Sequence, residues 1–138
     1  MKITVDHWEA LRAQAQPIRF EVFVDEQQVP AEIELDDMDP HCLHAVAYDD
    51  AGQPLATGRL LPDGHIGRMA VRKAGRGKGV GGAVLQALMQ AARQRGDVEV
   101  ILNAQVQAEG FYQAHGFARE GEQFMEAGIA HITMRARL

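Results

Sequence analysis

The clearest pattern of apolar and polar positions lies in the second half of the chain, where apolar residues recur every three or four positions. The apolar members of this pattern are Val80, Val84, Leu88 and Ala91. The polar residues on the opposite face are Gln86, Gln90, Arg93 and Gln94. One stripe of each kind predicts an amphipathic helix with a buried face. Arg93 and Arg95 suit its C-terminal end, where the helix dipole attracts cations, and Gly96 ends it.

Short apolar runs bounded by turn residues predict strands on both sides of this helix. The predicted strands cover residues 3–6, 43–49, 55–61, the run that ends at Val71, 98–102, 117–124 and 129–137. Other helical segments are predicted over residues 8–26, interrupted near Pro17, and over residues 108–115. A proline-bounded polar loop, residues 29–40, follows the first helical segment.

The order of these elements predicts an α/β fold built on a mixed sheet (α+β). Turns at residues 50–53 and 62–64 join the early strands as an antiparallel N-terminal meander. The strand that ends at Val71, the long helix and strand 98–102 form a central right-handed crossover between parallel strands. The C-terminal strands are antiparallel, and helices cover the faces of the sheet. At 138 residues, positions 1–138 are expected to form one domain with its own core.

A turn rich in glycine and basic residues, residues 75–82, leads into the long helix and is called the glycine turn below. Its glycines are Gly75, Gly77, Gly79, Gly81 and Gly82. Without Cβ atoms, Gly77, Gly79, Gly81 and Gly82 let an anion approach the backbone, and the first N–H groups of the helix lack intrahelical partners. Arg76 and Lys78 add positive charge. The turn therefore predicts a site for a phosphate-bearing ligand.

Three interpretations of the glycine turn compete. A P-loop is excluded because it needs a hydroxyl residue at the helix start, and Val80 follows Gly79. The pattern Gly77-x-Gly79-x-x-Gly82 formally matches a dinucleotide fingerprint. However, Asn103 and Gln105 stand where a dinucleotide site needs an acid for the ribose hydroxyls. A nicotinamide-dependent oxidoreductase therefore stays a weaker alternative.

The third interpretation rests on two linked motifs. Residues 76–81, Arg-Gly-Lys-Gly-Val-Gly, resemble the Arg/Gln-x-x-Gly-x-Gly/Ala signature of the GCN5-related N-acetyltransferases. Residues 108–117 look like the family's Ala-x-x-Phe-Tyr-x-x-x-Gly-Phe segment. Residues 19–30 and 126–134 are similar to both ends of the small bacterial ElaA-like acyltransferases, although Ala130 stands where that subgroup would have proline. The resemblance covers essentially the whole chain.

The resemblance implies acetyl-CoA as co-substrate, with its pyrophosphate on the glycine turn and its pantetheine arm beside the preceding strand. The implied cofactor-binding residues are Met69, Ala70, Val71, Arg76, Gly77, Lys78, Gly79, Val80, Gly81, Gly82, Asn103 and Phe111. Backbone N–H groups around Met69–Val71 are placed to polarise a thioester carbonyl. Tyr112 is implied as the catalytic general acid toward the coenzyme A thiolate. Glu126 and His131 are implied to line the acceptor pocket.

The sequence does not single out one residue as the general base. Its candidates are Glu26, Asp36, Asp37, Asp39, His41, His44, Glu126 and His131. The acidic run 32–39 either attracts a cationic amine or forms a solvated loop, and a solvated loop is expected. A metal site is not expected at His41, Cys42 and His44, because a strand turns His41 away from the other two. His65, after a turn, is expected to face solvent.

Composition limits the classes of partner that the chain is expected to bind. A net charge of −5 and the lack of a basic stripe with aromatics argue against nucleic acid. No apolar run has membrane-spanning length, and the single Cys42 favours a reducing compartment, so a cytoplasmic protein without membrane contact is expected. The sequence thus predicts a monomeric or homodimeric N-acyltransferase that moves an acetyl group from acetyl-CoA to a small primary amine. A non-catalytic coenzyme A binding or sensing module is the alternative.

Overall fold

Two antiparallel sheets, of four and three strands, form the framework of the protein. The computed structural model describes residues 1–138. The first sheet contains, in spatial order, β1 (Lys2–His7), β2 (Leu43–Tyr48), β3 (Pro54–Leu60) and β4 (Ile66–Val71). The second contains β5 (Glu99–Gln105), β6 (Ala118–Glu126) and β7 (Ile129–Arg137), with β7 in the centre. The antiparallel regions predicted at both ends of the chain are confirmed.

Four α-helices accompany the sheets. They are α1 (Trp8–Arg19), α2 (Ala31–Glu34), α3 (Val80–Arg95) and α4 (Glu109–Ala114). Short 3₁₀ turns precede β2, the glycine turn and α4. None of these helices has both the length and the apolar character that crossing a lipid bilayer requires.

The first helical segment differs from the prediction at Pro17. Pro17 lies inside α1, which continues to Arg19, so the helix is not interrupted there although a proline cannot donate the usual backbone hydrogen bond. Instead the backbone widens into a π-helical segment, Phe20–Glu26. A π-helical segment of this kind is frequent at functional sites, and this one ends beside the glycine turn.

Helices α1 and α3 cover opposite faces of the first sheet. Alternate strand residues point to opposite faces, so Ala45 and Ala47 pack with α3, whereas Val46 packs with α1. The apolar stripe predicted for α3 is confirmed, since Val80, Val84 and Leu88 are all buried. At the end of the stripe, Ala92 is fully buried, whereas Ala91 is only partly buried.

The predicted crossover from β4 through α3 to β5 is present, but β4 and β5 pair at one end only. A single parallel bridge joins His65 to Ile101, and Ile101 donates its N–H to the carbonyl of Gly64 at 3.1 Å. Beyond this bridge, β5 pairs with β7 and not with β4. The later residues of β4 and β5 therefore border an open cleft between the two sheets.

Candidate active site

A cavity of about 470 Å³ fills the cleft between β4 and β5. Met69 of β4 and Asn103 of β5 form its facing walls, and Tyr112 of α4 lines the same space. Glu126 and His131, at the turn between β6 and β7, also line the cavity. Five of the residues singled out in the sequence, each from a different element, thus meet in one place.

The edge of β4 that faces the cleft presents free backbone groups. Arg72 donates its N–H to the carbonyl of Leu55 on the β3 side. Because N–H directions alternate along a strand, Ala70 also pairs toward β3, opposite Thr57. Met69 and Val71 then direct their backbone groups to the cleft. The N–H of Ala70, which the sequence-based prediction grouped with those of Met69 and Val71, points to β3 within the sheet.

Tyr112 is almost fully buried, and burial raises the pKa of its phenol to about 12. Its ring packs edge-on against Phe111 and Phe117. No protein group forms a hydrogen bond with its hydroxyl, which is not among the buried polar atoms that lack a partner. The hydroxyl therefore reaches the cavity and stays protonated throughout the ordinary pH range.

The glycine turn has the backbone that an anion site needs. Gly77 and Gly79 have positive φ angles of 75° and 76°, and a Cβ atom at either position would meet open space. Gly79 caps α3, and the first intrahelical bond runs from Ala83 N–H to the Gly79 carbonyl. The N–H groups of the first three helical residues, Val80 to Gly82, therefore have no intrahelical partner.

Gly81 and Gly82 have a packing reason to be glycine that the sequence did not indicate. A Cβ atom at Gly81 would lie 3.3 Å from Cγ2 of Val71, and one at Gly82 would lie 3.0 Å from Nε2 of His115. These two positions therefore allow close packing of α3 against β4 and α4. Phe111 also lies against this end of α3, 38% exposed.

The two basic residues of the glycine turn differ in their surroundings. Arg76 donates from Nη2 to Glu26 at 2.6 Å and from Nε to the carbonyl of Val71 at 2.9 Å. Lys78 is exposed and forms no hydrogen bond or ion pair with the protein. Both are outside the cavity, at the end of β4 where the glycine turn begins.

The polar side chains of the cavity already have some partners. Asn103 accepts a hydrogen bond at Oδ1 from the hydroxyl of Thr133, at 3.0 Å. His131 is bonded through Nδ1 to the carbonyl of Ile129 at 2.7 Å, which assigns the proton to Nδ1. The other nitrogen, Nε2, lies 3.6 Å from Oε2 of Glu126. A neutral His131 can therefore accept a proton at Nε2.

Of the eight candidates for a general base, only Glu126 and His131 line the cavity. Glu26 is paired with Arg76. His44 is buried behind the sheet, where its Nε2 donates to the carbonyl of Asp39 and burial lowers its pKa. Asp37 and His41 are exposed and do not line the cavity. His65 also lines it, and 41% of its side chain is exposed, in agreement with the expectation that this residue faces solvent.

The acidic run is not a solvated loop, because two of its carboxylates are buried in an ionic cluster. The members of this cluster are Arg19, Glu34, Asp36, Asp39, Arg59 and Arg68. Arg19 is 1% exposed and binds Asp39 through two nitrogens, at 2.8 and 3.1 Å. Arg59 binds Asp36 in the same bidentate way, at 2.8 and 2.7 Å. Three arginines thus balance three acids at the wall of the cavity, which Glu34, Arg59 and Arg68 line.

The arginines explain the protonation state of these acids. Burial by itself would raise the pKa of Asp39, but its hydrogen bonds to Arg19 and Arg59 outweigh burial and hold that pKa below its usual value. Hydrogen bonds from Arg59 likewise lower the pKa of Asp36. Both groups are carboxylates at neutral pH and are occupied by arginine, so neither is free to act as a base.

Sequence reasoning missed this cluster, although the sequence contains a signal for it. Arg19 follows Leu11, Ala15 and Ile18 at helical spacing, on the buried side of α1, and Arg59 interrupts an apolar strand. A charge at such a position needs a buried partner of opposite charge. The acidic run was the nearest source of partners.

No group of three or more His, Cys, Asp or Glu side chains is arranged to hold a metal ion. Cys42 is buried, and burial raises the pKa of its thiol to about 11. Its Sγ donates to the carbonyl of Met38 at 3.2 Å. This cysteine is therefore a packing residue.

The chain has clear relatives among known proteins. The family model for the acetyltransferase (GNAT) domain matches residues 10–138. The uncharacterized N-acetyltransferase YjcF of Bacillus subtilis (strain 168) is 44% identical over 121 residues, which are 85% of this chain and 86% of YjcF. An acyl-CoA N-acyltransferase structure from Pseudomonas aeruginosa is 35% identical, with a TM-score of 0.86 over 98% of both chains. Escherichia coli ElaA is 27% identical, with a TM-score of 0.88 over 99% of both chains.

Proposed function

Because the chain belongs to the GCN5-related N-acetyltransferase (GNAT) family of acyltransferases, we propose that it transfers an acetyl group from acetyl-CoA to the primary amine of a small molecule. The observation that carries this proposal is the continuity of the free edge of β4. At one end this edge reaches the glycine turn, and along its length Met69 borders the cavity. A phosphate-bearing donor with an extended arm fits this arrangement.

The donor-binding residues fit the chemical groups of coenzyme A. The N–H groups at the start of α3, with Lys78 beside them, suit a pyrophosphate. The amide side chain of Asn103 and the unpaired backbone edge of β4 suit the amides of a pantetheine arm, which would pair there like an added strand. When bound, acetyl-CoA supplies a thioester carbonyl that an amine can attack.

The edge of β4 and the side chains of the cavity then have separate roles in stabilising charge and in transferring protons. The backbone N–H groups of Met69 and Val71 stabilise negative charge as it develops on the carbonyl oxygen. His131 Nε2 accepts a proton from the attacking amine, directly or through water, with Glu126 beside it. The C–N bond forms as the C–S bond breaks, and Tyr112 donates its phenolic proton to the departing thiolate. Solvent then reprotonates Tyr112.

A calorimetric titration with acetyl-CoA tests the donor site. The unaltered protein should bind, and Gly79→Glu should not, because it puts bulk and negative charge where the anion is held and strains a positive φ. Release of coenzyme A thiol in the presence of an amine panel then separates an enzyme from a binding module. Binding without amine-dependent thiol release would indicate the non-catalytic module. Absence of binding by the unaltered protein would overturn the proposal.

A further inference from the structure

One guanidinium nitrogen of Arg59 has no hydrogen-bond partner in the fold. This residue is 5% exposed, and its Nη1 and Nη2 atoms are occupied by Asp36 and Asp39. The Nε atom is buried without any hydrogen-bond partner, and Arg59 lines the cavity. A buried charged donor without a partner is costly, so one such group at the wall of a cavity indicates that a ligand supplies the acceptor.

Arg68 lies next to this donor and is directed by an irregularity in β4. The β3–β4 pairing shifts between Thr57 and Arg59, so that two residues of β4 oppose one of β3. Arg68 there has a φ of 49°, which is uncommon for a residue with a side chain. A bulge of this kind turns a side chain away from its regular direction, and Arg68 lines the cavity, with 26% of its side chain exposed.

The two guanidinium groups are adjacent and held in place. Both donate to the same oxygen, Oδ2 of Asp36, at 2.7 Å from Arg59 and 3.1 Å from Arg68. Nε and Nη2 of Arg68 are also directed to the carbonyl of Glu34. The remaining nitrogen, Nη1 of Arg68, has no partner in the protein and is not enclosed by it. Arg59 Nε and Arg68 Nη1 are therefore donors without a protein partner, on two neighbouring arginines that both line the cavity.

We propose that Arg59 and Arg68 form a carboxylate subsite, so that the acceptor is a small amine that carries a carboxylate, as an amino acid does. This inference rests on the proposed acyl transfer and names the class of its acceptor. One unpaired N–H donor from each of two neighbouring guanidinium groups can match the two oxygens of a carboxylate. The acids of the ionic cluster already balance its arginines, so a single negative charge suits this place better than the double charge of a phosphate.

The position of Arg68 also bears on the length of the acceptor. Arg68 and Met69 line the same cavity, and Met69 borders the place proposed for the thioester carbonyl. A carboxylate at Arg68 and an amine at that carbonyl would therefore occupy one cavity, and acceptors of graded length measure the spacer between them. His131 and Glu126, at the β6–β7 turn that also borders the cavity, are placed to receive the proton of the amine.

The test compares matched acceptors on the unaltered protein, with thiol release as the readout. Glycine, β-alanine and γ-aminobutyrate are each paired with the amine of equal length that lacks the carboxylate, namely ethylamine, propylamine and butylamine. We expect kcat/KM to favour at least one carboxylate acceptor over its partner by about tenfold to a hundredfold, the range for hydrogen bonds to a charged group. Equal or better turnover of all three plain amines would overturn the subsite and leave acyl transfer standing.

Two variants then test whether Arg68 causes the preference for acceptors with a carboxylate. Arg68→Asn removes the guanidinium and keeps a residue that tolerates a positive φ, and it should reduce the ratio between the paired acceptors to near unity. Arg72→Met is the matched control, because Arg72 is an arginine of similar exposure that does not line the cavity. This control should keep the ratio of the unaltered protein. A ratio that survives Arg68→Asn would contradict the assignment.

A protein that binds acetyl-CoA but acetylates no amine would overturn the proposed function, and the subsite would still be testable. Titration with N-acetyl-β-alanine and with N-propylacetamide compares the two products without any chemistry. Affinity at least tenfold higher for the carboxylate compound would support the subsite, and equal affinity would overturn it.

Discussion

Arg76 of the glycine turn and Glu26 of the π-helical segment form an exposed ion pair, with Nη2 and Oε1 2.6 Å apart. The two residues are separated by 50 positions in the sequence. The same guanidinium also donates from Nε to the carbonyl of Val71, at the end of β4. The pair thus ties the proposed pyrophosphate site to the segment that walls the cavity, and it places a carboxylate where an anion is proposed to bind.

Replacement of Glu26 by glutamine should strengthen acetyl-CoA binding. The change removes a negative charge near the proposed pyrophosphate site and frees Arg76 to donate to the ligand, and a several-fold decrease in Kd is expected in calorimetry at low salt. Glu21→Gln serves as the control, since Glu21 lies on the same segment and pairs with Arg72 instead. Weaker binding by Glu26→Gln would indicate that the carboxylate positions Arg76 productively.

Replacement of Tyr112 by phenylalanine should lower kcat by about a hundredfold or more, because it removes the proposed acid, while the Kd for acetyl-CoA stays nearly unchanged. Tyr48→Phe, at the only other tyrosine, should have neither effect. Since burial raises the pKa of Tyr112 to about 12, the unaltered protein should show no loss of acid catalysis up to about pH 10, the pKa of an ordinary tyrosine. Equal loss of turnover and donor affinity in Tyr112→Phe would argue against the acid role.

Because Gly82 and His115 are in contact, substitutions at the two positions should have non-additive effects on the free energy of unfolding. Alanine at 82 favours the helix by about 1 kcal/mol, but its Cβ would meet the imidazole ring of His115, which is also hydrogen-bonded to Gln86 at 2.9 Å. Gly82→Ala should therefore be more stabilising, by about 1 kcal/mol, in the His115→Ala background. Urea unfolding of the four proteins in this cycle measures the difference.

Gly110 provides the control for that cycle. It lies in α4 with open space around the position of a Cβ atom. Gly110→Ala should change the free energy of unfolding by the same amount with and without His115. Additive behaviour of Gly82→Ala would mean that the imidazole moves aside without cost.

The stability that the ionic cluster gives the folded protein should depend strongly on Asp39. Asp39→Asn leaves Arg19 and Arg59 buried with one acid fewer, and loss of one partner of a buried ion pair costs about 3–5 kcal/mol. Asp37→Asn, at an exposed neighbour without an ion pair, should change stability by less than about 0.5 kcal/mol. Urea unfolding near neutral pH checks both values. Similar stability of the two variants would show that the cluster relaxes after the loss.

The same cluster should make the protein sensitive to acid. The pKa values of Asp36 and Asp39 are lower in the folded protein than in the unfolded chain. Their contribution to stability is therefore fully present above about pH 4, the pKa of an unfolded aspartate, and is lost as the pH falls below it. Unfolding curves from neutral to acidic pH should show this decline, and Asp39→Asn should have a smaller one. An unchanged acid decline in the variant would assign the effect to other carboxylates.

The sequence alone determined the local parts of this protein. The spacing of Val80, Val84 and Leu88 identified α3, and the glycines at 77 and 79 identified a turn before it, because both features depend only on neighbouring residues. The motif around Tyr112 singled out this residue, and the structure places it at the cavity. The widening of α1 beyond Pro17 and the packing role of Gly82 escaped prediction, since each depends on what surrounds the backbone.

Only the tertiary structure decided how the acidic run is used and what the cavity can bind. Arg19 reaches Asp39 across 20 positions, and Arg68 reaches Asp36 across 32. A carboxylate in a polar loop looks the same in the sequence whether water or a buried arginine neutralises it. The choice is made when the loop folds over the sheet, because burial removes water and makes each unpaired charge costly. Arg59 Nε, the one nitrogen of this arginine without a partner, can be recognised only when the pairing of the other two nitrogens is known.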